Sequence, residues 1–329
     1  MMILVTGGTG FLGSTLINKL INAGKTVLAT KRPSSVIPER LRSSSLIEWV
    51  DADITDYFAL SDLFSKISQV YHCAAVVSYQ KKEAVNMHKI NIEGTQHIVN
   101  LCLEHGTRLV HVSSIAALGT NKAGLPVSET DKWEYDRTIS NYALSKYRSE
   151  LEVWRGIKEG LDAVIVNPSV IMGLGSYKKG SGAIFEIVNK GIKIYPPGSV
   201  GVVDVEDVAN VMIVLMENKD ISGERYILNS ENLTNKELME RIARLLNKKA
   251  PSIEAKPYML SIGWRLAYIA ALFKGSKPSL TKESAQAASA KLAYSNKKIS
   301  ETLDYKFKPV NKTLEDIANT YYKQTQTIL

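Results

Sequence analysis

Tyr142 and Lys146 stand four residues apart in Tyr142-Ala143-Leu144-Ser145-Lys146. On a helix that spacing puts both side chains on one face. A tyrosine normally loses its proton near pH ~10. An ammonium beside it, together with the charge of a bound cofactor, favours the tyrosinate and brings proton loss toward working pH, so the pair suits proton exchange with a substrate hydroxyl or carbonyl. Spacing alone does not select this pair, because Tyr294 also has a lysine, Lys298, four residues on. Context does select it. Tyr142 opens a helical pattern after the fifth of a series of β-rich runs, whereas Tyr294 lies in the lysine-rich tail. A hydroxyl to orient a carbonyl oxygen is offered by Ser113 and Ser114, which follow the run Leu109–Val112. Strand carboxyl ends are where open α/β sheets bind ligands.

Such residues need a scaffold, and the chain's periodicity describes one. Strand-like runs at Ile3–Thr6, Val27–Thr30, Ile47–Asp51, Gln69–Cys73, Arg108–Ser113 and Ala163–Asn167 alternate with helical patterns at Phe11–Asn22, Tyr57–Lys66, Met87–Glu104 and Tyr142–Lys158. This predicts an α/β fold, a Rossmann-type doubly wound parallel sheet with helices on both faces. After Pro168 the pattern loosens into glycine-bearing loops. Further strands follow at Val200–Asp204 and Arg225–Leu228, then a capping box at Thr234-x-x-Glu237 and a largely helical tail. We read residues 1–167, with about 200–222, as the nucleotide-binding domain. Residues 168–199 and 223–329 then form a smaller, mostly helical C-terminal substrate lobe.

The turn Thr6-Gly7-Gly8-Thr9-Gly10-Phe11-Leu12-Gly13 joins the first strand to the first helix. Gly7, Gly10 and Gly13 allow a tight turn and close approach of a pyrophosphate, and the helix start at Phe11 and Leu12 offers unpaired N–H groups to it. The turn lacks the Gly-Lys-Ser/Thr ending of an ATPase phosphate loop. In dinucleotide folds an acid near the end of the second strand bonds the ribose 2′-hydroxyl of NAD. Here Lys31 and Arg32 occupy that place and could neutralise a 2′-phosphate. The expected cofactor is NADP, with NAD as the second choice.

The 329 residues carry a net charge of +8, with 45% hydrophobic and 22% charged residues. No dense Lys/Arg block with interleaved aromatics appears, so nucleic acid is not an expected partner. Cys73 and Cys102 have no metal-type spacing and suggest no disulfide framework, which makes a cytoplasmic protein without a bound metal the expectation. The longest apolar stretch, Met259–Phe273, contains Arg265 and is shorter than the roughly 20 residues needed to span a bilayer. It reads as a buried amphipathic helix. No integral membrane segment is expected, though a peripheral contact is left open.

The spacing Gly7-x-x-Gly10-x-x-Gly13 together with Tyr142-x-x-x-Lys146 resembles the extended short-chain dehydrogenase/reductase family, the NAD-dependent epimerase/dehydratase superfamily. Val203-Asp204-Val205-Glu206-Asp207-Val208-Ala209 and Gly223-Glu224-Arg225-Tyr226-Ile227-Leu228 extend the resemblance over nearly the whole chain. It is nearest the dihydroflavonol reductase and 3β-hydroxysteroid dehydrogenase-like branch, on Lys31-Arg32, Asn167-Pro168-Ser169 and the aromatic-bearing segment 259–273. The resemblance implies that Ser114, five residues before Gly119, is the catalytic hydroxyl. Tyr142 would be the general acid/base, and Lys146 would hold the nicotinamide ribose. It also implies that Asn91 supports the site, that Asp53 and Ile54 hold the adenine, and that Ala74 and Ala75 leave room for the cofactor. Pro168, Ser169 and Val170 would run beside the nicotinamide.

The reaction implied is hydride transfer between NADP(H) and a carbonyl or secondary alcohol of a small, fairly apolar substrate. An NAD-dependent sugar-nucleotide epimerase is the alternative, and a non-catalytic NAD(P)-binding protein a more distant one. Leu118 stands where many such epimerases carry Tyr, and the Thr-Asp-Glu of sugar dehydratases is missing after Ser114. By analogy a homodimer would pair through Met87–Glu104 and Tyr142–Lys158.

Overall fold

The structure is a computed structural model that describes residues 2–121, 123–136, 138–175 and 180–326, with side chains to residue 321. Met1 and residues 327–329, the outer limits of the two expected domains, lie outside the described residues. The first half of the chain alternates as its periodicity predicts. β1 (Met2–Thr6), α1 (Phe11–Asn22), β2 (Val27–Lys31), β3 (Ile47–Asp51), α2 (Tyr57–Phe64) and β4 (Ile67–His72) come first. Then come α3 (Ala84–His88), α4 (Gly94–Glu104), β5 (Arg108–Val112), α5 (Asn141–Lys158) and β6 (Ala163–Pro168). Past Pro168 the chain forms β7 (Val170–Met172), α6 (Ala183–Asn189), β8 (Ile194–Tyr195), β9 (Ser199–Asp204) and α7 (Val205–Glu217). It then returns to the main sheet through β10 (Glu224–Leu228).

The main sheet has seven strands in the order β3-β2-β1-β4-β5-β6-β10, and every neighbouring pair is parallel. Its two faces explain the unbroken apolar runs. Val164, Ile165 and Val166 are all fully buried, alternately into two different cores. One core lies under α1 and α7 and includes Leu16, Ile17, Val208 and Met212. The other lies under α2, α4 and α5 and includes Leu60, Ile98, Leu101 and Val153. The order reverses between β1 and β4, and the crevice at such a switch point is where doubly wound sheets bind ligands.

The remaining elements are β11 (Glu231–Thr234), α8 (Asn235–Leu245), β12 (Ile253–Glu254), α9 (Pro257–Lys274), α10 (Lys282–Ser289), α11 (Lys297–Leu303) and α12 (Val310–Gln326). Thr234 and Glu237 form the predicted capping box at the start of α8. β11, β9 and β7 make a small sheet. It shares a third core with α6, α8 and α12 through Phe185, Val202, Ile242 and Leu314.

One buried cation ties the sheet to α7. Arg108, at the start of β5, is ion-paired with Asp162. It also donates to the carbonyls of Leu215, Asn218 and Ile221 at 2.9, 2.8 and 2.7 Å. The Leu215 carbonyl is in the last turn of α7, and Asn218 and Ile221 lie in the turn that follows it. Arg108→Met should destabilise the fold by about 3 kcal/mol, because the buried Leu215 carbonyl and two partly buried ones lose this donor and Asp162 loses its ion-pair partner. A urea midpoint equal to that of the unsubstituted chain would refute this account.

Candidate active site

Thr6 ends β1 and the chain turns at Gly7, whose φ of +67° is left-handed. A Cβ there would stand 2.8 Å from the Ala74 backbone at the end of β4, so only glycine lets the two strand ends meet. A methyl on Gly13 would run into the Gly7 carbonyl oxygen. Gly10 is the N-cap of α1 and no side chain caps that helix, so its first N–H groups face the crevice between β1 and β4. The side chains of Phe11 and Leu12 are used elsewhere. Leu12 is buried in the core under α1, and the Phe11 ring reaches the Gly173 turn after β7. What these two residues offer a ligand is therefore main chain. The uncapped α1 start and the glycine cradle fit a dinucleotide pyrophosphate.

The rim of the crevice departs from the sequence reading at one residue. Lys31 pairs across the β2–β3 register with Asp51, and their side chains form an ion pair. Its charge is therefore shared with an exposed carboxylate, while Arg32 beside it is exposed and, among the described residues, has no such partner across the register. Asp53 is half-buried and accepts from Thr55 N and Oγ1 at 2.9 and 2.8 Å, and Asp56 is the residue that caps α2. Ile54 is buried where a side chain on Gly94 of α4 would have to go. Ala74 is half-buried and Ala75 exposed at the end of β4. Pro168 ends β6, Val170 begins β7, and Ser169 between them is buried with a hydroxyl that has no partner. An orphaned polar atom at that sheet edge is consistent with a cofactor amide alongside it.

Ser140 caps α5, accepting from Ala143 N at 3.1 Å, and this sets Tyr142 in the first turn. Ser114, just past β5, accepts from Ala116 N at 3.1 Å, and its hydroxyl lies close enough to the Tyr142 phenol to act on its pKa. Lys146, one turn further along α5, is 3% exposed and donates to the Val112 carbonyl at 2.8 Å. Burial lowers its pKa to about 8, while Glu150 and Cys73 hold it up. Among the chain's own groups, burial of the phenol raises the Tyr142 pKa and the nearby Ser114 hydroxyl opposes that.

Asn91 sits in a single π turn, Lys89–Glu93, between α3 and α4; π turns often occur at functional sites. It is buried and exchanges two hydrogen bonds with Val76, at 2.7 and 2.9 Å. It also donates to Ser145 Oγ at 2.9 Å, and Ser145 donates to the Tyr142 carbonyl at 2.8 Å. Asn91 thus fixes the first turn of α5 without touching the Tyr142 hydroxyl. The other Tyr–Lys pair comes apart. Tyr294 forms an isolated bridge with Val127, and Lys298, on α11, donates to Glu224 and to the Arg225 carbonyl.

Two networks behind these residues escape sequence reading. In the first, Thr95 Oγ1 donates to the Asn91 carbonyl at 2.6 Å, so its contact with His72 Nε2 at 3.1 Å must run from the ring N–H. His72 Nδ1 then accepts from Thr6 Oγ1 at 2.7 Å, and Thr6 accepts from Ala74 N at 3.2 Å. His72 is neutral, its pKa lowered by burial to about 3, and serves as a brace. In the second, buried Glu150 accepts from Ser113 Oγ at 2.5 Å and Asn167 Nδ2 at 2.7 Å on one oxygen. On the other it accepts from Arg225 at 3.0 Å and Trp154 at 3.2 Å. Asn167 also donates to the Ser114 carbonyl at 3.1 Å. The available signal was spacing, since Glu150 follows Lys146 by four on the same helix face. Among the described residues no cluster of His, Cys, Asp and Glu could hold a metal ion. Both cysteines are free and buried enough that their thiols are held protonated.

A doubly wound parallel sheet with a glycine cradle at its switch point defines a dinucleotide-binding protein. The chain belongs to the NAD dependent epimerase/dehydratase family, whose profile matches residues 3–229, and is an NAD(P)-binding enzyme of the extended short-chain dehydrogenase/reductase type. It is 27% identical to a putative dihydroflavonol 4-reductase of Synechocystis over 98% of this chain and 96% of that one. It is 28% identical to sterol demethylase protein B of Methylococcus capsulatus over 79% of each. Its fold superimposes on UDP-glucose 4-epimerase of Thermotoga maritima with a TM-score of 0.80 at 22% identity, covering 99% and 100% of the two chains.

Proposed function

We propose that the protein is an NADP(H)-dependent reductase of a carbonyl group on a small, fairly apolar substrate. The observation that carries this reading is the placement of the Tyr142 phenol in the first turn of α5, beside the Ser114 hydroxyl past β5 and one turn from the buried Lys146. A phenol holds its proton at neutral pH, which is the state a general acid needs. Ser114 and Tyr142 would both donate to the carbonyl oxygen, and Tyr142 would pass its proton as that oxygen gains charge. The nicotinamide, when bound, supplies the hydride. Lys146 would hold the ribose and favour the tyrosinate left behind, and Asn91 and Glu150 would keep α5 and the β5 end in place.

The surroundings support an apolar substrate. The Tyr79 ring meets Tyr142 edge-on at 5.9 Å, and Ile115, Leu118, Val127 and Tyr294 form an apolar cluster next to Ser114. The names of two relatives, a dihydroflavonol reductase and a sterol demethylase component, agree with such a substrate. In this reading the protein is cytoplasmic and dimerises through α4 and α5. A screen of steroids, flavonoids, aldehydes and keto-esters that follows NADPH oxidation tests it. Turnover of at least one apolar ketone or aldehyde is expected. No oxidation of NADPH by any of them, with UDP-sugar epimerised on copurified NAD, would replace it with the epimerase reading.

Cofactor choice rests on Arg32, since Asp51 engages Lys31. Arg32→Ala should weaken NADPH roughly tenfold and leave NADH nearly unchanged, as expected for one lost charge-assisted contact to a phosphate. Equal affinity for the two cofactors in the unsubstituted enzyme would contradict the assignment of NADP.

A further inference from the structure

Helix α9 turns an apolar face to solvent. Tyr258, Ile262, Leu266, Ile269, Leu272 and Phe273 are 61%, 54%, 60%, 48%, 61% and 88% exposed. Their spacing of three to four residues sets them along one side of the helix. The opposite side is already used. Ala271 is buried, Trp264 is half-buried, and Gly263 lies against Leu280. The sequence reading of a buried amphipathic helix is therefore overturned: the helix is apolar on both sides, and one of them is uncovered.

The chain that follows the helix is tied to the body of the protein. Lys277 pairs with Glu83, and Gln80 donates to the Pro278 carbonyl at 2.9 Å. Glu283 of α10 accepts from Asn141 N at 3.0 Å and from its side chain at 2.6 Å. The exposed face thus leads into a segment anchored next to the start of α5.

Charge decides what could cover it. From Ala255 to Lys282 the chain has no acid and five cations, Lys256, Arg265, Lys274, Lys277 and Lys282. Arg265, on the exposed side, folds back along its own helix. Its guanidinium lies 4.5 Å over the Trp264 ring and donates to the Ser261 carbonyl at 2.7 Å. A charged head drawn along the helix from an apolar face is the arrangement of a snorkelling side chain. A second copy of this face would bring like charges together. An anionic lipid surface would instead be attracted by the cations and would bury the apolar side chains. Among the described residues no helix is long and apolar enough to cross a membrane, so the contact would lie in the interfacial plane.

We infer that α9 is a docking helix for an anionic lipid bilayer, lying flat with Tyr258, Ile262, Leu266, Ile269 and Phe273 in the acyl boundary. This does not depend on which substrate is reduced. The full-length chain would be sedimented with vesicles of phosphatidylcholine alone and with roughly one-third phosphatidylglycerol, at low and raised salt. Sedimentation with the anionic vesicles, weakened by salt and nearly absent on phosphatidylcholine, is expected. Leu266→Glu with Phe273→Glu should weaken partitioning by about tenfold or more, with thermal unfolding and NADPH binding unchanged because both side chains are exposed. The inference is overturned if anionic vesicles leave the chain in the supernatant, or if the double variant binds as well as the parent. It is overturned too if the double variant instead turns a dimer into a monomer in analytical ultracentrifugation, which would give the face to a second copy.

Discussion

Tyr142→Phe is expected to lower turnover by roughly 10³-fold, the scale set by loss of a positioned general acid. The substitution removes one oxygen and almost no volume. Its edge contact with Tyr79 and the Ser140 cap of α5 are kept, so the fold and the dinucleotide cradle should be unaffected. NADPH binding, read from nicotinamide fluorescence, should stay within a factor of about two, because the glycine turn does not use the Tyr142 hydroxyl. The loss should fall on kcat. Ser114 would still offer a hydrogen bond to a carbonyl oxygen, which sets a floor above the uncatalysed rate. Turnover near that of the parent would remove Tyr142 from the chemistry and leave the Ser–Tyr–Lys reading without its proton donor.

The second large effect is expected at Glu150, a positioning residue that acts through Lys146, Ser113 and Asn167. Burial drives the Lys146 pKa down to about 8, and the Glu150 carboxylate opposes that. In the parent enzyme kcat/KM should therefore fall as pH rises through about 8, where Lys146 in the free enzyme gives up its proton. Glu150→Gln removes the negative charge, so the Lys146 pKa drops further and this basic limb moves to lower pH. A merely structural role would lower activity evenly and leave the limb where it was. The same change leaves the Arg225 guanidinium without its carboxylate and turns an amide N–H toward donors, for a loss of roughly 3 kcal/mol of stability. Glu150→Asp, which keeps the charge, should return the limb toward its original pH even where stability is not restored. A Glu150→Gln profile superimposable on that of the parent would show that Lys146 does not feel this carboxylate.

What the sequence alone determined is whatever a local repeat encodes. The glycine spacing at Gly7, Gly10 and Gly13, the apolar runs of β1 to β6, the capping box at Thr234 and the shared helix face of Tyr142 and Lys146 all follow from steric and periodic rules. Those rules act over a few residues, and the elements form where the rules place them. Tertiary structure decided the rest, because each feature depends on groups far apart in the chain. Lys31 meets Asp51 only through the β2–β3 register. Glu150 gathers Ser113, Asn167 and Arg225 only because β5, β6 and β10 lie side by side behind α5. Among the chain's own groups burial raises the Tyr142 pKa, and the degree of burial is something a spacing does not encode. Helix α9 shows the same limit, since an apolar stretch reads alike whether it faces a core or, as here, the solvent.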